Sequence, residues 1–499
     1  MNSPILFLKC RIHKVLALIL IGVIPVSALA DTYSLPQLGS RENAILTPRE
    51  EHRIGREVYQ RIQRSNAIFR DPEINAYIQR LGEKLLHSQI PDEAGMEMLF
   101  FLIRSADVNA FALPGGYVGV HTALIDQADS ESELAGVLAH EIIHVTQRHF
   151  IHRINMGRNQ NIATLIGVIA ALVLSGGNPE IASAAISAGM AVSTENFIHY
   201  TYLNELEADR MGMELMAQAG FSPDAVADFF EKIQRIAQLH HHEFSDFLRD
   251  HPVNSQRIAE ARNRAAQQKL SRASAADNNE FSFIKTRLDV LLMSPMQLQR
   301  AITQLAINKH QPLSLYRAGL LFLRSGQSSR AESYLRTVVQ HSADCLYCMA
   351  ALARTLEKDH VAESLKIYEN ILYLFPHRTE YRLQYAESLL HAGDYYEAKS
   401  QLNQLDDDGL FSLQKTWLLA RCAEGMGQQA GMHEYLARYY LQLGYKGRAI
   451  DHLNTALTFE DITTWHKQRL RARLTQLGVE GDTTKRKNSL AGENTSEVP

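Results

Sequence analysis

The sequence predicts a mostly helical α+β chain in two folded parts: a mixed segment with a small sheet at residues 31–265, then an all-α repeat domain at 285–480. Three observations predict it. The first part mixes helical patterns with one strand-like stretch at 96–104 and a second around 117–121, the signature of helices surrounding a small sheet. In the second part a glycine followed five residues later by an alanine recurs. Between them a polar Ala/Ser/Asn-rich passage at 265–279 marks a linker, drawn at 266–284.

Residues 1–30 read as a secretory signal peptide. Lys9, Arg11 and Lys14 form the basic start, residues 15–28 are almost wholly apolar, and Ala28-Leu29-Ala30 offers the small residues a signal peptidase requires. That apolar run is shorter than the roughly 20 residues a spanning helix needs, and no Cys follows the cleavage point to carry a lipid. Removing the segment takes away three positive charges and no negative one, so the formal net charge moves from −4 to −7. Such a balance argues against nucleic acid as a partner. Cys10 leaves with the signal. The three remaining thiols, Cys345, Cys348 and Cys422, cannot build a disulfide framework, so burial must hold the fold. Residues 481–499 are polar and poor in apolar side chains and are expected to be disordered.

The repeats carry Gly326 before Ala331, Gly393 before Ala398 and Gly444 before Ala449, with residues 357–362 as a degenerate copy anchored by Ala362. The anchors at 331, 362 and 398 approach the period of about 34 residues of tetratricopeptide repeats. Small residues let paired helices approach, and the Gly ends the first helix of a pair. The interval from Ala398 to Ala449 is about one and a half periods, so an irregular helix pair is expected around 418–436.

The chemistry sits in the first part, in His140-Glu141-Ile142-Ile143-His144. Two His four apart on a helix stand about 40° from each other around its axis, so both imidazoles reach one metal ion. Glu141 turns about 100° from His140, which sets its carboxylate beside the metal, where a base takes a proton from the attacking water. His149 lies nine residues past His140, half a turn round the same helix, and no Gly breaks that helix first; it reads as a surface or outer-sphere residue. A third ligand is better sought in residues 204–209. On a helix, Glu205 and Asp209 share a face while Glu207 points the other way. Glu205 then completes a His-His-Glu site with one zinc ion per chain, and Asp209 accepts the free ring N–H of a ligating His.

His140-Glu141-x-x-His144 with Glu205-x-x-Ala208-Asp209, Asn109-Ala110-Phe111-Ala112-Leu113-Pro114-Gly115-Gly116 upstream and His251-Pro252 before Arg257 downstream resembles the gluzincin metallopeptidases of the CAAX prenyl endopeptidase type. The resemblance implies a zincin-type metallopeptidase domain. It implies that Asn109, Ala110 and Phe111 lead into an edge strand on which an extended polypeptide substrate adds by main-chain hydrogen bonds. It also implies that His251 approaches the metal from across the cleft, either to stabilise the oxyanion or to occupy the fourth zinc position at rest. Together with the signal peptide and the repeats, it points to the periplasmic members that degrade misassembled envelope proteins and assist outer-membrane protein assembly, docking on that machinery through the repeats. A chaperone or adaptor with a latent zinc site is the alternative.

Three features stand apart. Residues 162–174 are apolar with one hydroxyl and no charge, and an Ala-rich run reaches residue 192. They suit either a buried helical hairpin or a lid in peripheral contact with membrane. Cys345-x-x-Cys348 reads as packing residues or a local disulfide, and His240-His241-His242 as a solvated helix end.

Overall fold

Local rules set the first elements. Helix α1 (Pro48–Arg64) carries Glu50 and Glu51 in its first turn and Arg61 and Arg64 in its last, complementing the helix dipole. Helix α2 (Pro72–Leu86) starts where the Asp71 carboxylate accepts from the Ile74 amide, with Pro72 in the first turn, where an N–H is not needed. Strands β1 (Leu99–Ile103), β2 (Ala110–Leu113) and β3 (Tyr117–His121) follow. Helix α3 (Thr122–Gln127) then leads to α4 (Glu131–Thr146), whose cap Ser130 accepts from the Glu133 amide at 3.2 Å. The computed structural model describes residues 46–88, 97–150, 166, 194–239, 247–248, 251–267, 279–308, 310–342, 344–460 and 462–478. The signal peptide, nearly all of 162–192, His240-His241-His242 and the tail lie outside these residues.

The sheet order is β1-β3-β2, with β1 parallel to β3 and β2 antiparallel to it. The two stretches that the sequence marks as strands are thus the parallel pair, registered Leu99 to Tyr117. The outer side of β1 is closed by the bridge from Ile68 to Ile103. Strand β2 has no strand on its outer side among the described residues. The turn from β2 to β3 runs through Gly115 and Gly116 at φ 74° and 90°. A Cβ on Gly115 would stand 2.4 Å from the His52 Cα, so both the conformation and the contact with α1 require glycine.

Helices α5 (Thr194–Gln218), α6 (Asp224–Leu239) and α7 (Ser255–Gln267) complete the first part. Helix α5 lies so close to α4 that a Cβ on Gly212 would come within 3.2 Å of the His140 nitrogen. The metal motif and its acidic partner segment therefore face each other across one helix–helix contact.

Helix α8 (Asn279–Leu292) begins inside the span expected as linker, and α9 (Pro295–Thr303) follows it with a Ser294/Gln297 capping box. The remaining helices pair in sequence: α10 (Pro312–Arg324) with α11 (Ser328–His341), α12 (Leu346–Leu356) with α13 (Val361–Leu374), and α14 (Thr379–His391) with α15 (Tyr395–Leu402). Helices α16 (Ser412–Gly425) and α17 (Gln429–Gln442) occupy the interval where an irregular pair was expected, and α18 (Lys446–Thr458) and α19 (Thr464–Gln476) close the array. Gly326, Gly393, Gly427 and Gly444 all stand at φ between 73° and 85°, each ending a helix in the left-handed conformation that glycine adopts without strain.

One expected anchor is corrected. Ala362 is exposed; the buried small residue of α13 is Ser364, whose hydroxyl donates to the Ala353 carbonyl at 2.8 Å. The buried anchors 331, 364 and 398 are then 33 and 34 residues apart, closer to the repeat period than the alanine spacing implied.

The two parts are packed together. Tyr77, Leu81, Phe100 and Leu138 share one hydrophobic core with Phe281, Leu288, Tyr316 and Tyr347. Around it, Arg80 reaches Glu280 and Glu380 at 2.7 Å each, and the buried Arg287 holds Asp71 at 2.8 Å and Glu73 at 3.2 Å. Cys345 and Cys348 form a disulfide at the start of α12, beside that core. No described helix is long and apolar enough to cross a membrane.

Candidate active site

The helix α4 is buried along almost its whole length, so the polar groups it carries must find partners inside. His140, Glu141 and His144 find them on α5 and at His251. His140 Nε2 and His144 Nε2 lie 2.9 Å apart. Glu205 brings Oε2 to 3.3 Å from the first and Oε1 to 3.4 Å from the second. On the far side of the imidazole, Asp209 Oδ1 lies 3.0 Å from His140 Nδ1. As a neutral ring with its proton held there, His140 would present a bare Nε2 to the other donor atoms. Glu205 Oε1 is buried with no hydrogen-bond partner.

This donor set fits a metal ion. A tetrahedral zinc ion with bonds of about 2.0–2.1 Å spaces its ligand atoms about 3.3 Å apart, and the distances of 2.9, 3.3 and 3.4 Å found here bracket that value. His251 joins the same cluster, its Nδ1 at 3.2 Å from His140 Nε2 and 3.1 Å from Glu205 Oε2. Its other nitrogen, Nε2, is 3.3 Å from Glu141 Oε1. Four side chains from three segments of the chain, all buried, thus surround one point.

Electrostatics agree with an acceptor-rich hole. Burial works against a charge on His140, yet Asp209 and Glu205 overcome it and raise its pKa to about 10. Burial lowers His144 to about 3. Glu205 is held well below the ordinary carboxylate range: burial opposes ionisation, but the nearby imidazoles of His251, His140 and His144 outweigh it.

Residues 70–265 match the model of Peptidase family M48. The beta-barrel assembly-enhancing protease of Vibrio cholerae is 33% identical over 339 residues, which span 66% of this chain and 68% of the relative. The chain belongs to peptidase family M48. A beta-barrel assembly-enhancing protease of Escherichia coli is 32% identical over 259 residues, 52% of this chain and 53% of that one. The mitochondrial metalloendopeptidase OMA1 of Bos taurus is 26% identical over 175 residues, 34% of this chain and 33% of the relative. The chain thus spans from a third to two thirds of the length of these relatives.

Within the M48 domain, several residues act that sequence reasoning did not assign. Arg257, fully buried in α7, grips Asp209 through Nε at 2.6 Å and Nη2 at 2.7 Å and reaches Glu205 Oε2 through Nη1 at 3.1 Å. Its guanidinium also lies over the Phe230 ring. The His-Pro…Arg spacing downstream was the available signal. Of the two readings of His149, the outer-sphere one holds: it is buried, its Nδ1 lies 2.8 Å from His144 Nδ1, and its Nε2 lies 3.4 Å from Glu207 Oε2. The helix does break before it. Arg148 takes φ 54°, alone among described non-glycine residues, and its guanidinium pairs with Glu51 of α1. Asn109 is buried with its carbonyl accepting from the His121 amide at 3.0 Å, and Ala110 and Phe111 begin β2.

Proposed function

We propose that this M48 chain is a zinc-dependent endopeptidase of the bacterial periplasm that cleaves misassembled envelope polypeptides and assists outer-membrane β-barrel assembly, with its tetratricopeptide scaffold binding the assembly machinery. The observation that carries the peptidase reading is the convergence of two imidazole nitrogens and the Glu205 carboxylate on one buried point. His140, His144 and Glu205 hold one zinc ion per chain, and Asp209 orients His140. Bound zinc supplies the Lewis acid of the reaction. Glu141 takes the proton of the attacking water and delivers it to the leaving amine. An extended substrate adds to the open side of β2 along Asn109, Ala110 and Phe111, since an edge strand offers main-chain groups that any sequence can pair with. The Vibrio and Escherichia relatives are beta-barrel assembly-enhancing proteases by name, which supports the assembly role.

His251 lies where a fourth ligand belongs, within 3.2 Å of His140 and Glu205 donor atoms. We read this as a resting arrangement from which His251 must withdraw before substrate enters, after which it is placed to stabilise the oxyanion. The same observation favours the second reading, an adaptor whose zinc site is latent. Metal analysis and polypeptide cleavage by wild type, Glu141→Gln and His251→Ala separate these. Glu141→Gln should keep its zinc and lose cleavage; equal cleavage by this variant and wild type ends the assignment. Rescue of a deletion strain by Glu141→Gln would favour the adaptor.

A further inference from the structure

We propose that His149, itself fixed by Glu207, is a positioning residue that sets the tautomer of His144 so that its Nε2 lone pair faces the metal point. The proposal rests on His140, His144 and Glu205 being the metal set. Each link follows from the count of ring protons. A neutral imidazole carries one N–H. Glu207 Oε2, an acceptor only, faces His149 Nε2 at 3.4 Å, so that nitrogen is the one that donates. His149 Nδ1 is then bare, and at 2.8 Å from His144 Nδ1 it can only accept. His144 must therefore carry its proton on Nδ1. Its Nε2 is left bare, 2.9 Å from His140 Nε2 and 3.4 Å from Glu205 Oε1.

The backbone is built for this contact. On an unbroken helix His149 would face away from His144. Instead α4 ends at Thr146, and Arg148 turns left-handed at φ 54° with its guanidinium paired to Glu51. A non-glycine residue in that region is uncommon and costs energy, which the surrounding contacts must offset. The consequence is that His149, only 2% exposed, comes back over the far edge of the His144 ring. His140 has Asp209 in the corresponding place at 3.0 Å. Each imidazole of the pair thus has its own partner on the Nδ1 side, a carboxylate for one and a carboxylate-held imidazole for the other.

The test compares His149→Leu with His149→Asn, whose side-chain oxygen can stand where Nδ1 stood and accept the same proton. Outer-sphere partners of ligating histidines contribute about 10–100-fold to metal affinity. His149→Leu should lose zinc affinity on that scale in competition with a chelator, and His149→Asn should recover most of the loss. The second readout needs no metal: nitrogen-15 NMR of histidine-labelled, zinc-free protein should show His144 protonated on Nδ1 in wild type and His149→Asn, and a mixture in His149→Leu. A wild-type His144 protonated on Nε2 overturns the proposal, as does a His149→Asn protein that binds zinc as weakly as His149→Leu. A wild type that binds no zinc would instead sink the metal set, and the NMR comparison would still decide the tautomer.

Discussion

Arg257 offers the sharpest test of how the site is held. Its side chain is inaccessible to solvent and makes contacts of 2.6 and 2.7 Å to Asp209, 3.1 Å to Glu205 and 2.8 Å to the Pro252 carbonyl. Arg257→Met keeps much of the volume and removes the charge and every donor. Two buried carboxylates then lose their guanidinium and keep only imidazole partners, and breaking one side of such a buried arrangement costs about 3–5 kcal/mol. Both tryptophans, Trp417 and Trp465, lie in the repeats, so intrinsic fluorescence would miss the change. Urea unfolding of metal-free protein should be followed by far-ultraviolet circular dichroism and by amide exchange in α5 and α7. The double variant Arg257→Met/Asp209→Leu removes one of the stranded charges and should recover about 2 kcal/mol or more of the loss, the coupling expected of groups in one network. A single variant within about 1 kcal/mol of wild type would refute the reasoning, because the carboxylates would then be held without the guanidinium.

Two further perturbations address the junction and the edge strand. Burial alone would raise Glu280, but Arg378, Arg80 and the Tyr347 hydroxyl hold its pKa at about 2 against a reference of 4.5. A folded-state pKa below the unfolded one stabilises fully above the unfolded value and is lost as pH falls through the folded value. Wild type should therefore shed about 2–3 kcal/mol of junction stability between pH 4.5 and 2 that Glu280→Gln does not shed, and identical pH profiles would contradict the clasp. At Gly119 of β3, an added Cβ would stand 2.2 Å from the Phe111 ring on β2. Gly119→Ala should displace that ring, cost about 1–3 kcal/mol and lower kcat/KM on polypeptides with zinc content unchanged. Unchanged kcat/KM would separate β2 from substrate binding.

What the sequence makes legible here is what depends on short spacing. The i, i+4 separation of His140 and His144 dictates a shared face on any helix, and Glu205 and Asp209 obey the same rule one helix away; Glu205 lies within 3.4 Å of both imidazoles and Asp209 within 3.0 Å of His140. The sheet was legible in its two buried strands, β1 and β3, because apolar runs announce them. Strand β2 is only four residues long with a mixed burial pattern, and periodicity alone passes over it. The repeat anchor at Ser364 was hidden because its hydroxyl is satisfied by a carbonyl one helix back, so a polar residue does the work of an alanine.

What stayed hidden depends on where the backbone bends or on which surfaces meet after folding. Glycine is the usual signal for a left-handed residue, and Arg148 gives none; its conformation is held by Glu51, nearly a hundred residues away. The helical wheel is valid only while the helix continues, so the break at Arg148 is what makes His149 an outer-sphere residue and not a surface one; Glu207, on the unbroken α5, stays outside the His140, His144, Glu205 and His251 cluster, as its helical position implied, and meets His149 there. The junction follows the same logic. A polar passage between two helices looks like a tether in sequence, yet α8 immediately after it contributes Phe281, Ile284 and Leu288 to the core that surrounds α2 and α4. The scaffold is therefore part of what keeps α4 buried. Perturbing the Arg80–Glu280 clasp should reach the metal site through packing, without touching any residue that surrounds it.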